Sequence, residues 1–250
     1  MLARVPVSGA DLAFAPLTGC QEMLVADAAA LDVPLGLRLA ATVAGDSLTV
    51  DGLSVHDVDA LLLEFRRHTV GDRILAVVHC PSCAKPNDVA FGIADYLEHH
   101  HPAAAAGVSA LDDDWWRLDG TSFEFRLPRE SDRATIQGAR DPLAALVERC
   151  IRPAPVPAAV RRRIERAMAR LAPLLARPSD VSCVECGTVF TMHFDPSYFV
   201  LREIRDGARD LVDDVHRIAA AYHWSEEAIL RLPRTRRRRY AEAVRDAGAA

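Results

Sequence analysis

Two short cysteine pairs constrain the fold of this 250-residue chain more than any other feature: Cys80-Pro81-Ser82-Cys83 and Cys183-Val184-Glu185-Cys186. Two cysteines separated by two residues can present both sulfurs from one tight turn. Two such turns complete a tetrahedral thiolate site, with Zn–S bonds near ~2.3 Å. Each pair follows an extended run, Arg73 to His79 in the first case and Val181-Ser182 in the second. Each is left through turn residues, Ala84-Lys85 and Gly187, and glycine suits the positive φ such turns use. Asp88 to Ile93 and Thr188 to Phe194 then alternate as returning strands. The expectation is two β-hairpins with cysteines at their tips, joined as a four-cysteine zinc ribbon of Cys80, Cys83, Cys183 and Cys186. Because 99 residues separate Cys83 from Cys183, the hairpins must meet across an insertion running from near Asp95 to near Asp180. Four thiolates leave no open coordination position, so the Zn2+ would be structural. A redox dithiol is the competing reading, but neither pair opens an obvious helix within a βαβ unit. Cys20 and Cys150 lack a partner motif and read as buried small residues.

Charge narrows the function classes. Thirty basic and 35 acidic residues give a net charge of −5, a poor start for a general nucleic-acid binder. Lys85 is the only lysine, so the arginine excess reads as a compositional bias. The chain is half apolar, which excludes disorder as its main state. No apolar run reaches the ~18–20 residues of a spanning helix, and no basic stretch followed by an apolar run marks a secretory signal. The expectation is a soluble, cytoplasmic protein with no membrane partner, in which paired cysteines hold metal and not disulfides.

The pattern predicts an α+β fold with three regions: 1–95, mixed α/β with the first knuckle; 96–180, the insertion; and 181–250, the second knuckle and a helical tail. Asp11 to Ala15 alternates as a strand, Pro16 to Gly19 forms a turn, Gln21 to Leu31 suits a helix, and mixed structure follows to residue 50. From Val55 the spacing is helical, with Val58, Leu61, Leu62 and Phe65 on one face, Ser54 or Asp57 as cap, and Gly71-Asp72 as the end. Glu98 to Asp114 reads as a polar loop, Thr121 to Leu127 as a strand and Leu143 to Ile151 as a helix. Pro153, Pro155 and Pro157 form a stiff linker before a basic helix, Val160 to Leu175. Ile204, Leu211, Val215, Ile218 and Tyr222 fall on one stripe. Ser225 caps a short helix, and Arg234 to Val244 forms the last.

Catalysis is not evident. There is no phosphate-binding glycine loop, nucleophile elbow or H-E-x-x-H. The runs His99-His100-His101 and Asp112-Asp113-Asp114 read as solvated loops. Arg236, Arg237, Arg238 and Arg239 make the last helix basic all round, and with Trp224 and Tyr240 these residues are the candidate partner-binding set.

These motifs together resemble the baseplate protein family of T-even-type contractile phages, relatives of which occur in prophages and phage-tail-like particles. The resemblance rests on Leu17-Thr18-Gly19 with Glu22, then Leu61-Leu62-Leu63 to Gly71-Asp72, then Phe125-Arg126-Leu127-Pro128. The two knuckles, Phe194-Asp195 with Phe199, and the stretch Leu211 to Tyr240 complete it. It implies a non-enzymatic structural or assembly role in the baseplate hub, with tail proteins as partners. Some members of that family are hub subunits and others are assembly factors that leave the finished particle. The alternative is a zinc-ribbon nucleic-acid-binding regulator, against which the net charge argues.

Overall fold

The computed structural model describes residues 2–4, 6–9, 11–44 and 52–248. In chain order its elements are β1 (Leu2–Arg4), β2 (Asp11–Ala13), α1 (Gly19–Ala26), α2 (Val33–Ala44), α3 (Val55–Thr69), β3 (Arg73–His79), β4 (Pro86–Gly92) and α4 (Ile93–His99). The insertion supplies β5 (Val108–Ala110), β6 (Trp115–Leu118), β7 (Glu124–Arg126), α5 (Glu130–Gln137), α6 (Pro142–Cys150), β8 (Ile151–Arg152) and α7 (Ala158–Leu171). The chain closes with β9 (Arg177–Ser182), β10 (Val189–Phe194), α8 (Pro196–Gly207), α9 (Leu211–Tyr222), α10 (Glu226–Leu230) and α11 (Arg234–Gly248). The fold is α+β, with small antiparallel sheets among helices.

Helix α3 is the axis of the main body. Ser54 caps it by accepting the Asp57 N–H at 3.1 Å. The sequence predicts one apolar face, whereas the helix is enclosed on all sides, with Ala60 and Leu63 buried beside Val58, Leu61, Leu62 and Phe65. Two of its polar residues are paired with α8. Arg66 clamps Glu203 of α8 through two 2.8 Å bonds, and Asp59 accepts the Ser197 hydroxyl at 3.1 Å. Helices α2, α4 and α8 pack against α3, α1 lies against α2 and α8, and Val25, Leu39, Phe65, Ile74, Ile93, Val200 and Leu201 fill one continuous core.

The insertion has a core of its own. Strands β5-β6-β7-β8 form an antiparallel sheet, and Phe125 and Ile151 from it pack with Ile164 and Ala167 of α7. It joins α3 through backbone bonds from Val55 N–H to Pro128 O at 3.2 Å and Glu130 N–H to Leu53 O at 3.2 Å. The Pro153 to Pro157 linker separates β8 from α7.

Several elements differ from the sequence reading. The residues expected to be mixed after α1 form α2, while 45–51 lie outside the described residues. The expected loop from Glu98 carries the end of α4 and then β5. His100 is buried against Tyr96, their rings 4.3 Å apart, because its Nδ1 and N–H both bond the Tyr96 carbonyl at the end of α4. Asp113 and Asp114 adopt φ of 57° and 60°, making the turn between β5 and β6. The stripe from Ile204 to Tyr222 spans two helices, since residues 208–210 turn between α8 and α9. Cys20 is exposed, because it lies on the outer side of α1 opposite Glu22 and Val25, whereas Cys150 is buried.

Candidate metal centre

Strands β3 and β4 pair from Arg73↔Gly92 to His79↔Pro86, and β9 and β10 pair from Arg177↔Phe194 to Ser182↔Val189. Each ladder ends at a cysteine turn of the same design. In the first, the Cys80 N–H bonds Lys85 O at 3.0 Å and the Ala84 N–H bonds Cys80 O at 2.9 Å. In the second, the Cys183 N–H bonds Thr188 O at 2.9 Å and the Gly187 N–H bonds Cys183 O at 3.0 Å. The residue after the second cysteine of each pair closes the turn with a left-handed φ, 57° at Ala84 and 71° at Gly187.

Three contacts hold the two hairpins together. At the base, Phe194 meets Phe91 at 5.2 Å, Tyr96 at 5.5 Å and Phe199 at 5.7 Å, so an aromatic cluster ties β4, α4, β10 and α8. Higher up, the buried Asn87 accepts the Val184 N–H at 3.0 Å and donates to Lys85 O at 3.0 Å, joining one turn to the other. At the tip, the sulfurs of Cys80, Cys83, Cys183 and Cys186 all lie within 4.8 Å of one another. Sequence reasoning found the four cysteines but missed Asn87. The available signal was a polar residue on a strand immediately after the turn.

The spacing fits a metal ion. A tetrahedron with ~2.3 Å metal–sulfur bonds has edges of about 3.8 Å. Cys80 Sγ lies 3.7 Å from Cys186 Sγ, and Cys83 Sγ lies 3.7 Å from Cys183 Sγ. Both contacts run between turns, so the cluster needs both hairpins. Hydrogen bonds from the Thr188 hydroxyl, 3.3 Å away, and from the Thr188 N–H hold the Cys186 thiol down at about 6. The Cys186 and Glu185 N–H groups also lower Cys183. The Lys85 N–H favours the Cys83 thiolate, but desolvation and the three neighbouring thiols outweigh it and push Cys83 up to about 12. Four thiols this close cannot all ionise unless a cation lies among them, and a divalent ion supplies that charge. Cys80 and Cys183 are buried, while Cys83 and Cys186 reach the surface.

The other sequence-predicted site residues lie on the helical tail, apart from the cysteines. His223 takes a left-handed φ of 55° and ends α9, which turns Trp224 toward Tyr222 at 5.3 Å and Tyr240 at 5.1 Å. Arg236 lies 5.8 Å from the Tyr240 ring, and Arg236, Arg238 and Arg239 are exposed. Arg237 departs from the expected all-round basic surface. It is 1% exposed and bonds Glu22 at 2.6 Å and Asp214 at 3.5 Å, because its helical phase, shared with Ala241, faces α1 and α9. Arg234 bonds the same Glu22 at 2.7 Å, and its N–H bonds Leu17 O at 2.8 Å.

The residues noted for family resemblance thus have structural duties. Glu22 anchors the tail, Leu61 to Asp72 forms the axis and its exit, and Phe125 to Pro128 docks the insertion. Comparison with known families places the middle of the chain. Residues 38–154 match the T4 bacteriophage base plate protein family. The matched segment contains α3, the first knuckle, β7 and the Phe125 to Pro128 stretch that docks the insertion. Glu22, the second knuckle and Leu211 to Tyr240 lie outside the matched residues. No curated protein and no solved structure matches the chain. No helix among the described residues is long and apolar enough to cross a membrane.

Proposed function

We propose that this chain is a non-enzymatic structural or assembly protein of the baseplate hub in a contractile phage tail-like particle, clipped by one structural Zn2+. The observation that carries the reading is the baseplate-family match over residues 38–154. The convergence of four cysteines from two hairpins supports the metal, since a closed thiolate tetrahedron binds zinc and provides no open position for chemistry. Bound there, Zn2+ would fix the two tips relative to each other and contribute its binding energy to folding. Baseplate or tail proteins are the partners on this reading. The exposed Trp224, Arg236, Arg238 and Arg239, with the half-buried Tyr240, offer them aromatic and arginine side chains, the types that dominate binding energy at interfaces.

The test is a tagged copy in cells that produce the particle, together with deletion of the gene. A tag retained on purified particles identifies a hub subunit. A tag absent from the particle, with baseplates missing in the deletion strain, identifies an assembly factor. Intact particles from the deletion strain would overturn the proposal.

A further inference from the structure

Helix α7 of the insertion carries the exposed arginines Arg162, Arg163, Arg166 and Arg170. Three of them, Arg163, Arg166 and Arg170, stand around the buried Ala167 and line a hollow of about 400 Å³. Their spacing of three and four residues sets them on one side of the helix, over about 10 Å of its length. The rest of the wall is the Ala104 to Gly107 loop and the buried Leu118. That loop is tied at both ends. The Ala103 N–H bonds Arg170 O at 2.8 Å, and the Asp119 N–H bonds Gly107 O at 3.0 Å. Its alanines and glycine leave the space before the guanidinium groups open. A second hollow, of about 550 Å³, shares Arg166 and adds Arg162, Glu165 and Ala169.

The charge at this place is unmatched within the chain. Other arginines of the insertion are neutralised by its own acids: Arg117 and Arg152 share Glu124, and Arg126 and Arg149 share Asp132. Among the described residues, no carboxylate bonds Arg163, Arg166 or Arg170. Two acids of this region are already engaged. Glu165 faces Arg161 at 3.4 Å, and the Asp119 carboxylate accepts the Ser109 hydroxyl at 2.7 Å. Arg163 and Arg166 each donate only to a backbone carbonyl, at 3.3 Å. A chain of net charge −5 thus keeps a concave basic site uncompensated. Guanidinium forks in that state match carboxylates or phosphates. Two observations choose between them. The hollows that share Arg166 continue across the helix, which suits an extended chain better than one small anion. No aromatic side chain lines either hollow to stack a base, and the net charge opposes a nucleic acid. We propose that α7 receives an extended, carboxylate-rich segment of a partner protein, held by Arg163, Arg166 and Arg170. This site lies on the insertion, and its recognition chemistry does not rest on the baseplate reading.

The test uses the full metal-loaded chain and fluorescein-labelled hexaglutamate, read by anisotropy at low salt. Labelled hexaglutamine and a labelled oligothymidylate of matched charge are the comparison probes. Hexaglutamate is expected to bind and hexaglutamine is not. Arg163→Gln, Arg166→Gln and Arg170→Gln are each expected to weaken hexaglutamate roughly two- to fivefold, the worth of an exposed charge pair, and the three combined roughly ten- to hundredfold. These variants are expected to melt with the parent, because all three side chains are exposed. Arg202→Gln, Arg209→Gln and Arg231→Gln combined remove the same charge from exposed positions outside the insertion, and are expected to leave the affinity unchanged. Equal binding of hexaglutamine, equal losses in the two triple variants, or no binding at millimolar hexaglutamate would overturn the site. Oligothymidylate that binds more tightly than hexaglutamate, and is released by the α7 triple variant, would overturn the carboxylate assignment in favour of a nucleic-acid strand. These outcomes do not depend on particle association, so failure here and failure of the baseplate reading are separately visible.

Discussion

Glu22 is the residue whose loss most directly tests how the helical tail is held. It is fully buried, and its two oxygens meet Arg234 at 2.7 Å and Arg237 at 2.6 Å. Glu22→Gln keeps the shape and removes the charge, leaving two guanidinium groups facing a neutral amide. Breaking a buried ion pair by removing one partner costs about 3–5 kcal/mol. Two features place this site at the lower end. Arg237 retains Asp214 at 3.5 Å, and the Arg234 side chain, 14% exposed, can turn toward water. The expected loss is about 3 kcal/mol, or roughly 6–12 °C of melting temperature for a chain of this length. Urea unfolding gives the first quantity, and hydrogen exchange at the Arg234 amide, bonded to Leu17 O, reports whether the tail detaches first. A double-mutant cycle with Arg237→Met isolates the pair, because the second substitution should be much milder once Glu22 is neutral. If Glu22→Gln unfolds within about 0.5 kcal/mol of the parent, a shift no larger than an ordinary surface substitution gives, the arginines do not depend on Glu22 and the anchoring role is wrong.

Metal content offers a second check. Protein purified without chelator is expected to carry one zinc per chain by mass spectrometry, and Cys83→Ser or Cys186→Ser is expected to lose it and become insoluble; a soluble, metal-bound single variant contradicts the four-thiolate clip. Asn87→Ala, which removes the bond between the turns and the bond that holds Asn87 on Lys85 O, is expected to weaken zinc retention about tenfold in chelator competition, the lower end for groups supporting metal ligands; unchanged retention makes Asn87 irrelevant to the centre. Asp59 gives a pH signature. Burial, partly offset by the Ser197 hydroxyl, raises its pKa from 3.8 to about 7, so between these values the folded chain binds more protons than the unfolded chain. Stability attributable to this group therefore falls as pH rises through that window, by at most about 4 kcal/mol. Asp59→Asn should abolish this contribution and be more stable than the parent at pH 8, as measured by urea melts at pH 5 and pH 8. Equal differences at the two pH values would refute it.

The cysteine-bearing hairpins are readable because two independent signals coincide there. Cysteine spacing marks the turns, and period-two alternation marks the strands, so β3 emerges with its observed bounds. Helix α2 was hidden by Pro34 and Gly36, which look like helix breakers. Pro34 sits in the first turn, where its missing N–H costs nothing, and the Asp32 carboxylate accepts the Leu35 N–H at 3.0 Å. Gly36 is required by close approach, since a Cβ there would lie 2.9 Å from a Leu62 methyl. Arg237 was obscured by its neighbours. A run of four like charges carries no periodicity, and only its phase with Ala241 distinguishes the one that turns inward. The hollow between α7 and the Ala104 to Gly107 loop depends on two segments meeting, and a single chain's local pattern contains no statement about that.

The position of the clip follows from what the rest of the fold already does. Each hairpin has its own ladder, and the aromatic cluster around Phe194 fixes their bases. Neither reaches the tips, where each turn projects beyond its two-stranded sheet and the bond from the Val184 N–H to Asn87 spans between them. Between them the chain travels through a lobe with its own core, so a link from Cys83 to Cys183 closes a loop of roughly 100 residues. Closing a loop of that length removes several kcal/mol of unfolded-chain entropy, a gain that grows only slowly with length. A metal at this point would therefore act less on the hairpins than on the relation between the main body and the second hairpin that leads into α8 and the tail. The insertion's attachment to α3 runs through Pro128, Leu53 and the Pro173 carbonyl on His56 and does not pass through the cysteines, so the tips and the insertion are tied to the main body separately.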